Sequence, residues 1–307
     1  MKSDIVSRYQ GIYIAMYSAY DEAGNVDQER VKKLARYYVG KGVKGLYVGG
    51  SSGEGILQNA EERKQVLEAV MEEVQGELTI IVHVGANSTR ESVELAKHAE
   101  TVGADVISAV PSIYYRLPEA AVENHWQHMI DSTNLPFIIY NIPQTTGFTL
   151  STGLLAKLAK QDKVIGVKMS GESTFELQQY KETGGEGFLV FNGPDEQFLA
   201  GRIMGADGGI GGTYGVMPEL FVQLNRLFMD NRIEEAQTLQ TKVNGFIKRL
   251  LSYPSLYGAC KYILNLQGVA TGAPRLPLLP VRPEHHASLA ELNKDIEAAI
   301  AQYTNGE

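Results

Sequence analysis

Lys168 is the residue of this sequence best placed to do covalent chemistry. It lies in Val164-Ile165-Gly166-Val167-Lys168-Met169-Ser170, an apolar run with a single cation, which reads as a buried strand. Side chains alternate along a strand, so Ile165, Val167 and Met169 share one face. Lys168 shares the other with Val164, Gly166 and Ser170. With both faces covered, the lysine enters an apolar interior. Burial disfavours the ammonium form, and a neutral amine there can attack a carbonyl carbon. The competing reading is a strand-end lysine whose head snorkels back to water.

Other stretches offer partners for such an amine. Gly49-Gly50-Ser51-Ser52-Gly53-Glu54-Gly55 joins two adjacent hydroxyls to glycines that let backbone approach a ligand, a combination that suits a small carboxylate. It lacks the Gly-Lys-Ser/Thr of a P-loop and the spacing of a dinucleotide fingerprint; a plain turn is the alternative. In Ile139-Tyr140-Asn141-Ile142-Pro143, alternation puts Tyr140 on the face of Ile138 near a strand end. A phenol held there can shuttle a proton, unless it is a core tyrosine bonded to backbone. Asn192-Gly193-Pro194-Asp195-Glu196 sets two carboxylates after a glycine, where they hold substrate hydroxyls or favour a helix N-terminus. Gly208-Gly209-Ile210-Gly211-Gly212-Thr213-Tyr214-Gly215 contains no cation, so close approach by a ligand or a neighbouring strand fits it better than phosphate binding. Pro111-Ser112-Ile113-Tyr114-Tyr115-Arg116 is an aromatic loop suited to closing a site or an interface. No metal set is expected. His125 and His128 lie three apart on a helix without a carboxylate pair and read as a solvated face, and His83 reads as a satisfied interior histidine.

The elements that must position these residues alternate. Expected strands are Gly11–Tyr20, Gly45–Gly50, Thr79–Gly85, Asp105–Pro111, Pro136–Pro143, Val164–Ser170, Gly187–Gly193 and Gly208–Thr213. Between them fall helical segments at Gln28–Gly40, Ala60–Val74, Thr89–Val102, Glu119–Asp131, Thr152–Lys160, Thr174–Lys181, Asp195–Met204 and Pro218–Met229. Asn59 with Glu62, and Ser88 with Glu91, have capping-box spacing. Gly-Ala-Asp at 103–105 and 205–207 reads as a helix stop leading into a strand. Eight such units predict an α/β fold, a (β/α)₈ TIM barrel over residues 1–230. A doubly wound open sheet is the alternative. Residues 231–307 turn helical, at Arg232–Leu251, Tyr257–Leu266 and Ala287–Tyr303, with Pro274, Pro277, Pro280 and Pro283 as a stiff connector. They read as a C-terminal helical region packed on the barrel.

Barrel enzymes place their chemistry at the C-terminal strand ends, where Ser51, Tyr140, Lys168 and Asp195 all fall. Composition narrows the rest. Hydrophobic residues make up 44% and charged residues 21%, which is ordinary for a globular protein. A net charge of −8 gives no reason to expect nucleic acid or an anionic membrane. No apolar run is long enough to span a bilayer, the first residues carry no apolar signal core, and Cys260 is the only cysteine. A cytoplasmic protein is expected.

Gly50-Ser51-Ser52-Gly53-Glu54, Tyr140-Asn141-Ile142-Pro143 and Lys168, in this order, resemble the N-acetylneuraminate lyase and dihydrodipicolinate synthase family of Schiff-base-forming aldolases that use pyruvate. The likeness runs from about Gly11 to Leu266. His83-Val84-Gly85, Ser108-Ala109-Val110, the Asn192–Glu196 stretch and Gly205–Gly211 lean towards the lyases. Synthases normally carry an arginine soon after the Tyr-Asn-X-Pro motif; this chain has Gln144. Two positions depart from the lyases as well: Gly212 stands where a serine is usual, and Pro194 where an aromatic is common.

The resemblance implies that Lys168 forms an imine with the C2 carbonyl of a 2-oxo acid. Ser51 and Ser52 hold its carboxylate, Ile210 lines the pyruvate pocket, and Tyr140 moves the proton of the C4 hydroxyl. Ser170, Gly193, Asp195 and Glu196 face the polyol, and Tyr114 or Tyr115 seats Tyr140 from a neighbouring subunit of a homotetramer. No metal or organic cofactor is implied. The leading expectation is cleavage of N-acetylneuraminate or a related sugar acid. Dihydrodipicolinate synthase and a catalytically silent sugar-acid sensor are the alternatives. Gly212 leaves the pocket one hydroxyl short, so a raised KM or a different preferred sugar is expected, and Gly212→Ser tests this by asking whether N-acetylneuraminate turnover improves.

Overall fold

The computed structural model describes residues 2–304, with side chains from residue 4. Eight strands run parallel and close into a barrel in chain order: β1 (Gly11–Ala15), β2 (Gly45–Val48), β3 (Thr79–His83), β4 (Val106–Ala109), β5 (Phe137–Asn141), β6 (Val164–Met169), β7 (Leu189–Asn192) and β8 (Gly208–Gly211). Closure excludes the open doubly wound sheet. The helices preceding and separating the strands are α1 (Lys2–Tyr9), α2 (Gln28–Tyr38), α3 (Ala60–Val74), α4 (Thr89–Thr101), α5 (Glu119–Ser132), α6 (Pro143–Thr146), α7 (Thr152–Leu158), α8 (Thr174–Gly184) and α9 (Phe198–Ile203). After β8 come α10 (Pro218–Met229), α11 (Ile233–Leu251), α12 (Leu256–Leu266) and α13 (His286–Thr304).

Two compact units make up the chain: residues up to Gly11 with Thr79–Ile210, and Ile12–Leu78 with the residues from Gly211 onward. In the first, β4 pairs with β3 and β5, β6 with β5 and β7, and β7 with β8, all in parallel. Every residue of β4, β5, β6, β7 and β8 is buried, as expected of strands covered on both faces. A Cβ at Gly208 would run into the Gly11 carbonyl, so glycine is required for the backbones to meet there. The two Gly-Ala-Asp segments act alike. Gly103 and Gly205 take φ of +82° and +100°, and the following aspartates accept backbone N–H bonds from the preceding strands. Asp105 accepts from Ile80 at 2.9 Å and Asp207 from Val190 at 2.8 Å.

In the second unit, β1 pairs with β2 and α2 packs along α3. Asn59 and Glu62 form the reciprocal capping box that starts α3. Ser88, in the first unit, caps α4 by accepting from Glu91 N–H at 3.2 Å. The C-terminal helices belong to the second unit, where α13 packs against α10 and α12.

Candidate active site

The ends of β5 and β6 bring the tyrosine and the lysine together. In their register Tyr140 stands opposite Lys168, and Asn141 opposite Met169. Lys168 Nζ lies 4.1 Å from the centroid of the Tyr140 ring. The lysine is 4% exposed and the tyrosine 3%, so the amine is inside the protein and does not snorkel to water. Phe191 stands opposite Lys168 on the β7 side and is fully buried. Tyr140 and Phe191 thus flank Lys168 on its two neighbouring strands.

His83, at the end of β3, meets Tyr140 edge to face with ring centroids 6.0 Å apart. Its Nε2 accepts the Val110 N–H at 3.2 Å, tying down the start of the loop after β4. It is the satisfied interior histidine expected, and it also packs on Tyr140, a contact that strand alternation does not predict. The neighbourhood depends on three strand registers, which composition does not reveal.

Beyond Lys168, Ser170 N–H donates to Asn141 O at 2.8 Å and Gly193 N–H to Met169 O at 2.7 Å. A Cβ at Gly193 would collide with Ser170 Oγ and Met169 O, so only glycine lets these two strand ends approach so closely. Asp195 opens a 3₁₀ turn, Asp195–Gln197, preceded by Pro194 at its N-cap. Asp195 is buried while Glu196 faces solvent, and Ile210 is buried on β8. The pair thus divides, with Asp195 inside the protein and Glu196 outside. Tyr114 and Tyr115 stand 88% and 69% exposed, packed edge to face at 5.2 Å. Tyr114 has φ +83°, a left-handed conformation that costs energy for any side chain bearing a Cβ.

The loop after β2 is a tight turn built on glycines. Gly49 has φ +71°, Glu54 N–H donates to Ser51 O at 3.0 Å and Gly55 N–H to Gly50 O at 3.1 Å. A Cβ at Gly53 would lie 2.9 Å from Met16 O. Ser51 is exposed and Ser52 buried. Gly212 gains a second account here. Its φ of −79° suits any residue, but a Cβ on it would stand 2.6 Å from Ser52 Oγ. The missing side chain is space that Ser52 uses, which removes the reason to expect a gain from Gly212→Ser.

Gln144 Nε2 donates to Glu172 Oε1 at 2.6 Å on the surface after β5. The histidine pair on α5 needs correction. His128 is exposed, but His125 is buried, with Nδ1 2.8 Å from Thr89 Oγ1. Burial, with His128 nearby, lowers its pKa to about 4. His125 is a core residue, whereas the solvated face holds only His128. Among the described residues, no cluster of three His, Cys, Asp or Glu side chains is arranged to hold a metal ion. A cavity of about 550 Å³ opens at the start of β6, lined by Ile5, Val164, Ile165 and Phe188; neither Lys168 nor Tyr140 lines it.

The sequence profile of the Dihydrodipicolinate synthetase family matches residues 8–297. The N-acetylneuraminate lyase of Mediterraneibacter gnavus is 45% identical over 276 residues, 89% of this chain and 88% of that one. That of Rhizobium meliloti is 37% identical over 295 residues, 96% of each chain. Among solved structures, a catalytic lysine mutant of the Ruminococcus gnavus sialic acid aldolase superposes with a TM-score of 0.95 at 42% identity, covering 97% of this chain and 98% of that one. A buried lysine against a tyrosine on adjacent barrel strands, a two-serine glycine loop and these matches together lead to one placement: the chain belongs to the Dihydrodipicolinate synthetase family.

Proposed function

We propose that this protein is a carbon–carbon lyase that cleaves N-acetylneuraminate, or a closely related sugar 2-oxo acid, to pyruvate and an aldehyde, N-acetylmannosamine for the parent substrate. The observation that carries the reading is the buried Lys168 amine 4.1 Å from the Tyr140 ring centroid at the ends of two paired strands. Identity of 45% to a lyase over most of both chains supports the choice of substrate.

The Lys168 amine adds to the C2 carbonyl and expels water, leaving a protonated imine. The Tyr140 hydroxyl takes the proton from the C4 hydroxyl as the C3–C4 bond breaks. Electrons from that bond pass into the imine to give an enamine, and C4 leaves as the aldehyde. Protonation at C3 and hydrolysis then release pyruvate and restore the lysine. Ser51 and Ser52 receive the carboxylate and Ile210 borders the pyruvate methyl. Ser170, Gly193, Asp195 and Glu196 serve the polyol, and Gly212 serves by making room for Ser52. In the same reading Tyr114 or Tyr115 seats Tyr140 across the interface of a homotetramer, which suits two tyrosines so exposed in one chain. Residues 1–230 form the catalytic barrel and 231–307 its helical appendage, and no metal or organic cofactor takes part. No helix among the described residues is long and apolar enough to cross a membrane, and we place the enzyme in the cytoplasm.

Gln144 weighs against the synthase, because it offers no guanidinium for a second carboxylate and is already bonded to Glu172. Turnover decides between the readings: release of pyruvate from N-acetylneuraminate is expected, and condensation of pyruvate with aspartate semialdehyde is not. Efficient condensation with no cleavage of any sugar acid reverses the assignment. Failure of pyruvate and borohydride to label the protein points to a sensor.

A further inference from the structure

Behind the two-serine loop lies a buried ionic network that the reaction itself does not use. Glu54, the last residue of the Ser51–Glu54 turn, adopts φ 56° and ψ 24°, a left-handed conformation unfavourable for a residue with a side chain. Its carboxylate is held on both oxygens. Lys261 Nζ, on α12, lies 2.6 Å from Oε1, and the two side chains are 1% and 0% exposed. The Arg275 backbone N–H donates to Oε2 at 2.6 Å. Lys261 Nζ also donates to Ala273 O at 3.3 Å and sits 4.4 Å from the centroid of the Tyr20 ring. The Arg275 guanidinium donates to both oxygens of Glu62, at 2.8 and 2.7 Å, and to Leu57 O at 3.1 Å. On the other side of the turn, Gly53 O accepts from Ser18 Oγ at 2.6 Å and from Gln58 Nε2 at 3.3 Å.

Neither feature is economical as a stabiliser. A buried ion pair is commonly matched or bettered by apolar residues of the same shape, yet losing one partner leaves an uncompensated buried charge. Left-handed backbone at a non-glycine residue persists only where its surroundings over-determine it. Burial lowers the Lys261 pKa, and Glu54 opposes that shift, so the ammonium depends on its partner for its charge. Both costs fall at one turn, directly behind Ser51 and Ser52. The strap between α12 and α13 supplies the Arg275 N–H to Glu54 and the Ala273 carbonyl to Lys261.

We infer that Glu54 and Lys261 are positioning residues: their buried pair clamps the β2 turn, through the strap after α12, in the shape that receives the substrate carboxylate. The inference rests on the lyase reading above. It predicts a defect confined to carboxylate recognition, leaving the amine chemistry of Lys168 intact. Lys261→Met keeps side-chain length and removes the ammonium. Glu54→Gln keeps shape and an acceptor for the Arg275 N–H, and carries the same readout if the lysine variant does not fold.

The test is borohydride trapping on Lys168 at increasing concentrations of pyruvate and, separately, of hydroxyacetone, a ketone without a carboxylate. Wild type and variants are compared after thermal melting has shown them folded. The expected result is that half-saturating pyruvate rises tenfold or more in the variants while trapping by hydroxyacetone changes less than twofold. KM for the sugar acid should rise with pyruvate, and kcat should change less. Equal losses with both ketones, or no loss with either, overturn the clamp. Wild-type protein that neither ketone labels instead overturns the lyase reading, so the two failures are separable.

Discussion

Replacing Gly212 by alanine tests whether the glycine exists to seat Ser52. The backbone conformation at Gly212, with φ −79°, accepts alanine without strain, so the fold has no reason to fail. The new Cβ would stand 2.6 Å from Ser52 Oγ, about 1 Å inside ordinary contact, and Ser52 must rotate or shift. If Ser52 donates to the substrate carboxylate, its displacement forfeits a hydrogen bond to a charged group, worth about 1.5–3 kcal/mol. At 1.4 kcal/mol per factor of ten, that is roughly a 10- to 150-fold rise in KM. Steady-state pyruvate release from N-acetylneuraminate supplies the assay, with kcat expected to fall less than KM rises. The decisive comparison is a double-mutant cycle. Ser52→Ala removes the atom that Cβ meets, so Gly212→Ala should cost almost nothing on that background. A KM for Gly212→Ala within twofold of wild type refutes the reasoning, as do costs that simply add.

Three further outcomes are expected. Pyruvate with borohydride should add a stable mass to the Lys168 peptide of the wild type, and Lys168→Ala should abolish it; label on another lysine removes Lys168 from the mechanism. Tyr140→Phe should fold, since it loses one hydroxyl and little volume, while turnover falls by about 10²–10⁴-fold, the usual worth of a positioned acid–base group; a loss of only a few-fold would make Tyr140 a packing residue. His125 titrates at about 4 in the folded protein, below the ordinary histidine value of 6.5. The unfolded chain therefore binds the extra proton between those values, and stability present above pH 6.5 is lost as pH falls towards 4. Urea midpoints at pH 7 and pH 5 should reveal the decline, and His125→Gln should reduce its slope; an unchanged slope means other groups carry it.

The helices were largely legible because their signals are local. The ranges Ala60–Val74 and Pro218–Met229 agree at both ends, one fixed by the Asn59–Glu62 box and the other by its leading proline. Strands were legible as runs but not in length. Gly11–Tyr20 reads as one strand, yet the strand ends at Ala15; Met16 to Tyr20 continue as buried chain, with an isolated antiparallel bridge between Tyr20 and Val26. Apolar composition reports burial, and at the ends of these strands burial outlasts the ladder. The amphipathic pattern gives no sign of α1 and reads Asp195–Met204 as one helix, whereas its start is a 3₁₀ turn. His125 was read by its neighbour His128, although three residues along a helix is enough to move from core to solvent.

The candidate site divides along the same line. Lys168 and Tyr140 are readable because each is a single polar group in an apolar strand, an exception to a periodic pattern that marks itself. Their mutual contact then follows from strands adjacent in chain order, which a parallel barrel enforces. For groups that hold a loop from behind, such an exception does not name the partner. Lys261 sits in α12 as one cation among apolar residues, and its partner Glu54 lies far back in the chain at the end of a glycine turn. Nothing periodic links them; only the folded chain does. Gly212 is the same case in reverse, since in sequence it is a serine missing and in space it is the room that another serine occupies. A family motif therefore transmits the covalent half of the chemistry well. Fits such as the one between Ser52 and Gly212 do not show in a motif, because they join positions far apart in the chain.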